Sequence, residues 1–188
     1  SEMCIRDRAD TPGVARTILD AARAARGMPG ADPRAMSHSW LFTGPPGSGR
    51  SLAALDFAAA LMCTDPEEPG CGRCEACQAV LDAKQHTDLV LVDPQEVIIP
   101  VDTVREVIGR AASLPTVAPW RVVIFNNADR LNNNGANALL KTVEEPPART
   151  VIIMCAPSDA PEDFSQTLRS RCRHPVSYTH LRAHETDS

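Results

Sequence analysis

A membrane-spanning helix needs about 20 consecutive apolar residues, and the chain has no apolar run of that length. It also shows no secretory signal pattern. It also lacks a basic excess, because 19 Lys and Arg stand against 24 Asp and Glu, for a net charge of −5. Aromatic residues make up only 4% of the chain. Neither the positive field nor the stacking rings of an autonomous nucleic-acid-binding domain are therefore present. We expect a cytoplasmic protein without a membrane partner.

Lysine is scarce, because Lys84 and Lys141 are the only two in the chain. Neither lies in the phosphate-binding pattern at 44–51, which ordinarily contains a lysine. Residues 44–51 read GPPGSGRS, which matches the phosphate-binding pattern G-x-x-x-x-G-K-[S/T] except that arginine replaces lysine. In such a loop, glycines let backbone N–H groups cradle phosphates, the lysine reaches the terminal phosphates and the serine holds Mg²⁺. The candidate nucleotide-binding residues are Gly44, Gly47, Gly49, Arg50 and Ser51.

Two substitutions predict that this nucleotide site is degenerate. A planar guanidinium at Arg50 does not reproduce the compact ammonium of lysine. The apolar strand predicted at 121–125 ends in Asn126 and Asn127, where a nucleotide motor has carboxylates for Mg²⁺ and water; asparagine carries no charge for a metal or a proton. We expect ATP and Mg²⁺ binding to be weak or absent. Simple drift from lysine to arginine in a GC-rich bacterial genome is the alternative explanation of Arg50.

Four of the seven cysteines crowd into one short segment with the spacing C-x7-C-x2-C-x2-C. Two C-x-x-C turns let paired thiolates point at one ion, and four thiolates complete a closed tetrahedral zinc site, which predicts a structural rather than a catalytic metal. Such clustering does not resemble a disulfide scaffold and favours a reducing compartment. Reduced thiols or a redox C-x-x-C pair are the alternatives. The candidate zinc ligands are Cys63, Cys71, Cys74 and Cys77.

Helical and strand patterns alternate along the middle of the chain, which predicts a parallel sheet covered by helices on both faces. The phosphate loop then lies at the carboxyl edge of that sheet. Asn132 is a candidate helix cap, and the proline pair at 146–147 ends the helix that it begins. We predict strands at 40–43, 89–92, 121–125, 151–155 and 172–175, and helices at 14–26, 51–62 and 101–113, after Asn132, and at 160–168.

The two ends of the chain do not share this organisation. Residues 1–8 (SEMCIRDR) and 176–188 (VSYTHLRAHETDS) show no useful periodicity and resemble translated sequencing-adaptor sequence. Ordinary frayed termini are the alternative. We expect one domain at 9–175, with the zinc module at 63–77, and a natural protein that continues beyond residue 175.

The order of motifs resembles the first domain of bacterial clamp-loader subunits, which are members of the AAA+ superfamily. The phosphate loop is followed by the four-cysteine insertion, then by NALLKTVEEPP at 137–147 and by SRC at 170–172. The resemblance implies an α/β fold, a parallel-sheet AAA+ (RecA-like) nucleotide-binding domain with a four-cysteine zinc insertion. Within the family, the loss of the lysine and of the acidic pair matches the non-motor stator rather than the ATPase subunits.

The resemblance also implies a role for Arg171, as an arginine finger that reaches the ATP of a neighbouring subunit in trans and stabilises charge during phosphoryl transfer. From spacing alone, Arg171 reads as part of a solvated basic edge. The implied partners are the gamma/tau and delta subunits and, through the assembled complex, the sliding clamp and primed DNA. The chain itself is expected to have no ATPase activity. Two alternatives remain: an active clamp-loader ATPase of the gamma/tau type, which would hydrolyse Mg-ATP, and a zinc-bearing nucleic-acid-binding module, which would bind in a salt-dependent way.

Overall fold

Four parallel strands form the central sheet of the computed structural model, which describes residues 12–174. The terminal segments 1–8 and 176–188, predicted to be artefacts, lie outside the described residues. The strands are β1 (Ser39–Thr43), β2 (Leu89–Val92), β3 (Arg121–Phe125) and β4 (Thr150–Ala156). Their order in the sheet is β1-β4-β3-β2, with β1 and β2 at the two edges.

The helices pack on both faces of the sheet, as the sequence predicts for a parallel sheet. The α-helices are α1 (Pro12–Ala25), α2 (Arg50–Met62), α3 (Glu75–Gln78), α4 (Val101–Ala111), α5 (Asn133–Glu144) and α6 (Gln166–Arg169). Val122 and Ile124 of β3 belong to the core on the face of α1 and α2, whereas Val123 and Phe125 belong to the core on the face of α4 and α5.

The predicted cap of α5 is confirmed. The Asn132 side chain accepts a hydrogen bond of 2.9 Å from the backbone N–H of Gly135, which satisfies one of the donors left open in the first turn. Glu145 has left helical geometry, with φ −126° and ψ 73°, immediately before the two prolines. Proline ends a helix here because it cannot follow a residue in the α region without a clash.

Two of the predicted elements are wrong or shortened. The helix predicted at 160–168 is limited to α6, because Ser158 and Asp163 hold residues 158–163 in a turn: the Ser158 hydroxyl donates to the Asp163 carboxylate at 2.8 Å and accepts from the Ala160 N–H at 3.1 Å. The strand predicted at 172–175 is a single parallel bridge between Trp40 and Arg173 along the free edge of β1, and residue 175 lies outside the described range.

A buried ion pair ties the amino ends of β2 and β3 to the loop between α4 and β3. Asp88 lies 3.3 Å from Arg121, and its carboxylate also accepts three backbone N–H bonds of 2.7–2.8 Å from residues 116–118. Burial raises the pKa of Asp88, but the three backbone donors outweigh it and the net pKa is lowered. Asp88 is therefore a charged anchor of the fold.

Within residues 12–174, none of the helices combines the length and the apolar character that crossing a membrane requires.

Candidate functional site

The phosphate-loop segment lies at the carboxyl end of β1 and leads directly into α2, as predicted. Gly49 caps α2 with a φ of 102°, a left-handed conformation that a residue with a Cβ adopts only at a cost. The loop therefore turns sharply and presents the N-terminus of α2 beside the carboxyl edge of the sheet. A cavity of about 280 Å³ opens there, lined by Pro46, Gly47, Ser48, Gly49, Arg50, Ser51, Leu52 and Asn127.

Arg50 points into the protein. The residue is only 3% exposed. One terminal nitrogen of its guanidinium donates to the carbonyl oxygen of Gly44 at 2.5 Å, and the other donates to the side-chain oxygen of Asn127 at 3.2 Å. The predicted nucleotide-binding residue and one of the two asparagines are thus brought together, in a contact that the sequence did not suggest.

Asn126 and Asn127 follow β3 at the same edge of the sheet, as predicted. The backbone N–H of Asn126 continues the sheet by donating to Val92 at 3.0 Å, while its side-chain oxygen is buried without a hydrogen-bond partner among the described residues. The asparagine pair supplies uncharged amide groups at this edge of the sheet. An amide can orient a hydrogen-bonding group but cannot neutralise Mg²⁺.

The four cysteines meet at one point beside the C-terminus of α2. Their sulfur atoms all lie within 4.8 Å of one another. The Sγ of Cys63 is 3.6 Å from that of Cys71 and 3.8 Å from that of Cys74. Tetrahedral coordination at a zinc–sulfur distance of about 2.3 Å places the sulfurs about 3.8 Å apart. The donor set therefore fits a zinc ion in both type and spacing.

Backbone geometry around the cysteines also suits bound thiolates. The N–H groups of Arg73 and Cys74 each donate to the Cys71 sulfur at 3.3 Å. This turn requires Gly72, whose φ is 75°. A hydrogen bond with Cys77 lowers the pKa of Cys63 to about 4 against the effect of burial, and the same bond raises the pKa of Cys77. All four groups can be thiolates together only when a cation balances them.

Helix α1 holds the cysteine segment in place. Arg26, in the turn after α1, donates to the carbonyl of Asp65 at 2.5 Å and to that of Cys63 at 2.6 Å. Arg23 forms a bidentate pair with Glu68 at 2.7 Å. The segment 63–71 has little apolar core of its own, so these contacts and the sulfur cluster define its position.

Arg171 follows α6 and lies on the surface, with its side chain 40% exposed. Its Nε is 2.7 Å from a carboxylate oxygen of Glu144, and an Nη atom donates to the Thr167 carbonyl at 3.1 Å and to the Ser170 hydroxyl at 3.0 Å. Glu144 ends α5, which returns from the carboxyl end of β3 to the amino end of β4. Arg171 therefore lies near the amino edge of the sheet, away from the phosphate loop of its own chain.

Comparison with known proteins identifies the family. Residues 31–177 match the model of a family described as DNA polymerase III, delta subunit. The chain is also 38% identical over 139 residues to DNA polymerase III subunit delta' of Pseudomonas aeruginosa, and this alignment covers 72% of the chain and 42% of the relative. The chain belongs to the delta-prime family of DNA polymerase III subunits. It spans less than half the length of that curated relative.

The chain is also similar to DNA polymerase III subunits of another name, gamma/tau. The chain is 36% identical over 145 residues to the DNA polymerase III subunit gamma/tau of Mycobacterium bovis, covering 76% of the chain and 25% of that relative. A solved structure of a RuvB Holliday junction branch migration motor from Thermotoga maritima matches with a TM-score of 0.55 at 16% identity, over 91% of the chain and 46% of the other. At this identity the likeness concerns the fold alone, a parallel sheet covered by helices, as the sequence predicts.

Sequence reasoning missed two residues that organise this delta-prime domain. Glu144 was visible only as part of the EEPP run, and no spacing rule pairs it with Arg171, 27 positions later in the chain. Asp88 is a lone carboxylate before a predicted strand, and its buried ion pair with Arg121 appears only after β2 and β3 align. A charged residue at the very start of an apolar strand, as at Arg121, was the one available signal.

Proposed function

We propose that this domain is the non-motor, or stator, part of a DNA polymerase III clamp loader. In this role it positions neighbouring gamma/tau and delta subunits, supplies Arg171 to the ATP of one neighbour, and helps to load the sliding clamp on primed DNA. Membership of the delta-prime family supports a clamp-loader role. Residues 9–175 would form the first AAA+ domain of a cytoplasmic subunit, with the metal module at 63–77.

The observation that carries the proposal is the inward orientation of Arg50. The buried guanidinium lines the loop cavity but already donates to Gly44 and Asn127, so we expect it to stabilise a phosphate of its own ATP less than an unpaired cation would. Phosphoryl transfer depends on positioned cations and on carboxylate-held Mg²⁺, so a loop whose cation already has protein acceptors and lies beside two asparagines is poorly equipped for turnover. We therefore expect no intrinsic ATPase activity.

Arg171 supports the other half of the proposal, a contribution in trans. It is exposed at the edge of the sheet opposite the phosphate loop, so its own loop is out of reach while an adjacent subunit is accessible. The pair with Glu144 does not prevent this, since an exposed ion pair is worth only about 0–1 kcal/mol. A phosphate group that accepts two guanidinium hydrogen bonds would be a stronger partner.

The four cysteines would hold a structural zinc ion in this subunit. A closed Cys4 site has no open position for substrate, so the metal would stabilise the segment that α1 and α2 flank and would take no part in chemistry.

The test is a clamp loader reconstituted with the Arg171→Ala protein. We expect DNA-stimulated ATP hydrolysis and clamp loading to fall at least tenfold, because one ATP loses its charge-stabilising donor; fingers of this kind are worth about 10³–10⁵ in GTPases. Arg73→Ala, which removes an exposed arginine of the cysteine segment, is the matched control and keeps full activity. Unchanged hydrolysis by an assembled Arg171→Ala loader rejects the role.

Similarity to gamma/tau subunits favours one alternative, an ATPase of the same branch. In that case Arg50 would have to leave its partners and turn toward the phosphates. Mg-dependent phosphate release by the chain alone separates the two functions.

A further inference from the structure

The two outer strands of the sheet differ in how their free sides are covered. Along β1, the N–H of Leu41 donates to the carbonyl of Arg173 at 2.8 Å, and the N–H of Arg173 donates to the carbonyl of Ser39 at 2.9 Å. Within residues 12–174, no strand pairs with the outer side of β2. A further strand can therefore be added to the described sheet beside β2.

The backbone of β2 offers hydrogen-bonding groups on that outer side. The carbonyls of Asp88 and Val92 face β3, where each accepts a hydrogen bond of 3.0 Å. Peptide groups alternate in direction along a strand, so the N–H and the carbonyl of Leu91 face outward. Outward groups of this kind are a template for pairing with another extended chain.

A cavity flanks β2 on each face of the sheet. Leu89 and Leu91, which pack on the face of α1 and α2, line a cavity of about 790 Å³. Val90 and Val92, which belong to the core on the face of α4 and α5, line a second cavity of about 400 Å³. Successive side chains of a strand point to opposite faces, so a strand added to β2 would direct alternate side chains into the two cavities.

The two cavities differ in charge. The larger one has an apolar wall and carries one acidic and one basic side chain, those of Glu75 and Lys84; the apolar wall comprises Ala76, Ala79, Leu89, Leu91 and Val117. The smaller one carries three carboxylates and a single guanidinium, those of Asp93, Glu96, Glu106 and Arg110. The larger cavity is therefore suited to an apolar side chain and the smaller one to a basic side chain.

We propose that the outer side of β2 is a docking site for an extended segment of a partner protein, in which apolar residues alternate with lysine or arginine. The segment extends the sheet by main-chain pairing with β2, and the two cavities select its alternate side chains. A second copy of this chain does not supply the pattern through the same strand, because β2 reads LVLV and has no basic residue. The site goes beyond the stator function, since it lies across the sheet from the segment that carries Arg171.

Both cavities have walls that are held in place before a partner binds. Beside the smaller one, the Arg130 guanidinium donates to the carbonyls of Pro94 at 2.8 Å and Glu96 at 3.0 Å. Beside the larger one, the N–H of Val117 donates to the carboxylate of Asp88 at 2.8 Å. A site that is formed in advance loses less conformational entropy on binding.

The inference is tested with a fluorescein-labelled peptide of alternating valine and lysine, whose binding to the full chain is followed by fluorescence anisotropy. We expect saturable binding. A peptide of alternating valine and glutamate of the same length is expected to bind about tenfold more weakly or less, because its carboxylates meet those of the smaller cavity. Equal binding of the two peptides would overturn the inference.

N-methylated peptides distinguish strand addition from simple charge attraction. Only every second peptide group of an added strand faces β2. Methylating the backbone nitrogens of the valines in one peptide, and of the lysines in another, is expected to abolish binding of one peptide and to spare the other. The same effect in both peptides, or none in either, would contradict strand addition.

Charge reversal at one residue of the smaller cavity completes the test. Glu106→Lys is expected to weaken binding of the valine–lysine peptide about tenfold. Glu162→Lys makes the same change at an exposed glutamate outside both cavities, and it is the matched control that keeps wild-type affinity. Equal affinities of the two variants would reject the site. A dimer of the chain that Glu106→Lys disrupts would overturn the assignment to a separate partner.

Discussion

At the scale of single residues, the carboxylate of Asp88 makes stability depend on pH. Its pKa is lowered in the folded chain, where burial is outweighed by the backbone donors of residues 116–118. A carboxyl group with a lowered folded pKa stabilises the protein above its unfolded pKa of about 3.9, and this contribution is lost as the pH falls through the folded pKa. Asp88 therefore contributes to stability at neutral pH and less in acid.

Asp88→Asn is expected to lower the free energy of unfolding at pH 7 by about 3–5 kcal/mol, because it leaves Arg121 buried without a charged partner. The difference from wild type should shrink as the pH approaches the folded pKa, since the wild-type carboxyl is then protonated too. Urea unfolding between pH 7 and pH 3 measures this. Asp82→Asn, at an exposed position, is the control; an Asp88→Asn protein as stable as this control would refute the anchoring role.

The residue scale is also where the sequence is least informative. The phosphate-loop pattern placed the loop correctly before a helix, predicted from Ser51 and observed from Arg50, because strand, glycine turn and helix are local features. It did not reveal that Arg50 contacts Asn127, 77 positions away, since the direction of a long side chain depends on tertiary packing. The pairing of Arg171 with Glu144 was hidden for the same reason.

At the scale of elements, most of the sheet and its helices could be predicted. Apolar patterning predicted all four strands of the sheet. Helical periodicity predicted α4 to within two residues at its C-terminus, and the proline pair predicted the end of α5. The failure at 160–168 has a local cause, because side-chain hydrogen bonds of Ser158 and Asp163 compete with a helix. The short helix α3 within the cysteine segment was also missed, since four residues are too few to show a period.

The cysteine segment yields a prediction at this scale. We expect one zinc ion per chain, and Cys77→Ser is expected to lose the metal and to lower the melting temperature, because the sulfur cluster replaces an apolar core for residues 63–77. Metal analysis and thermal unfolding measure both effects, and a chelator reproduces them in the wild-type chain.

Cys172→Ser is the control for this experiment, since Cys172 lies outside the cluster. It is expected to retain one zinc ion per chain. A wild-type chain with four freely reactive thiols at these positions and no bound metal would contradict the assignment.

At the scale of the whole molecule, the two candidate functional groups lie at opposite edges of one sheet. The phosphate loop follows the carboxyl end of β1, and Arg171 lies by Glu144 at the amino end of β4. One subunit can therefore present a phosphate loop to one neighbour and an arginine to another. The arginine edge presents the Arg171 guanidinium, which is 40% exposed and paired with Glu144 at 2.7 Å, in keeping with the proposed contribution in trans.

Phosphate release by the isolated wild-type chain in Mg-ATP distinguishes a stator from a motor. We predict no release above the rate of spontaneous hydrolysis, because Arg50 is bound to Gly44 and Asn127 and no carboxylate occupies positions 126 or 127. Magnesium-dependent turnover that Arg50→Ala abolishes would contradict the account, and would make this domain a motor whose arginine serves in place of lysine.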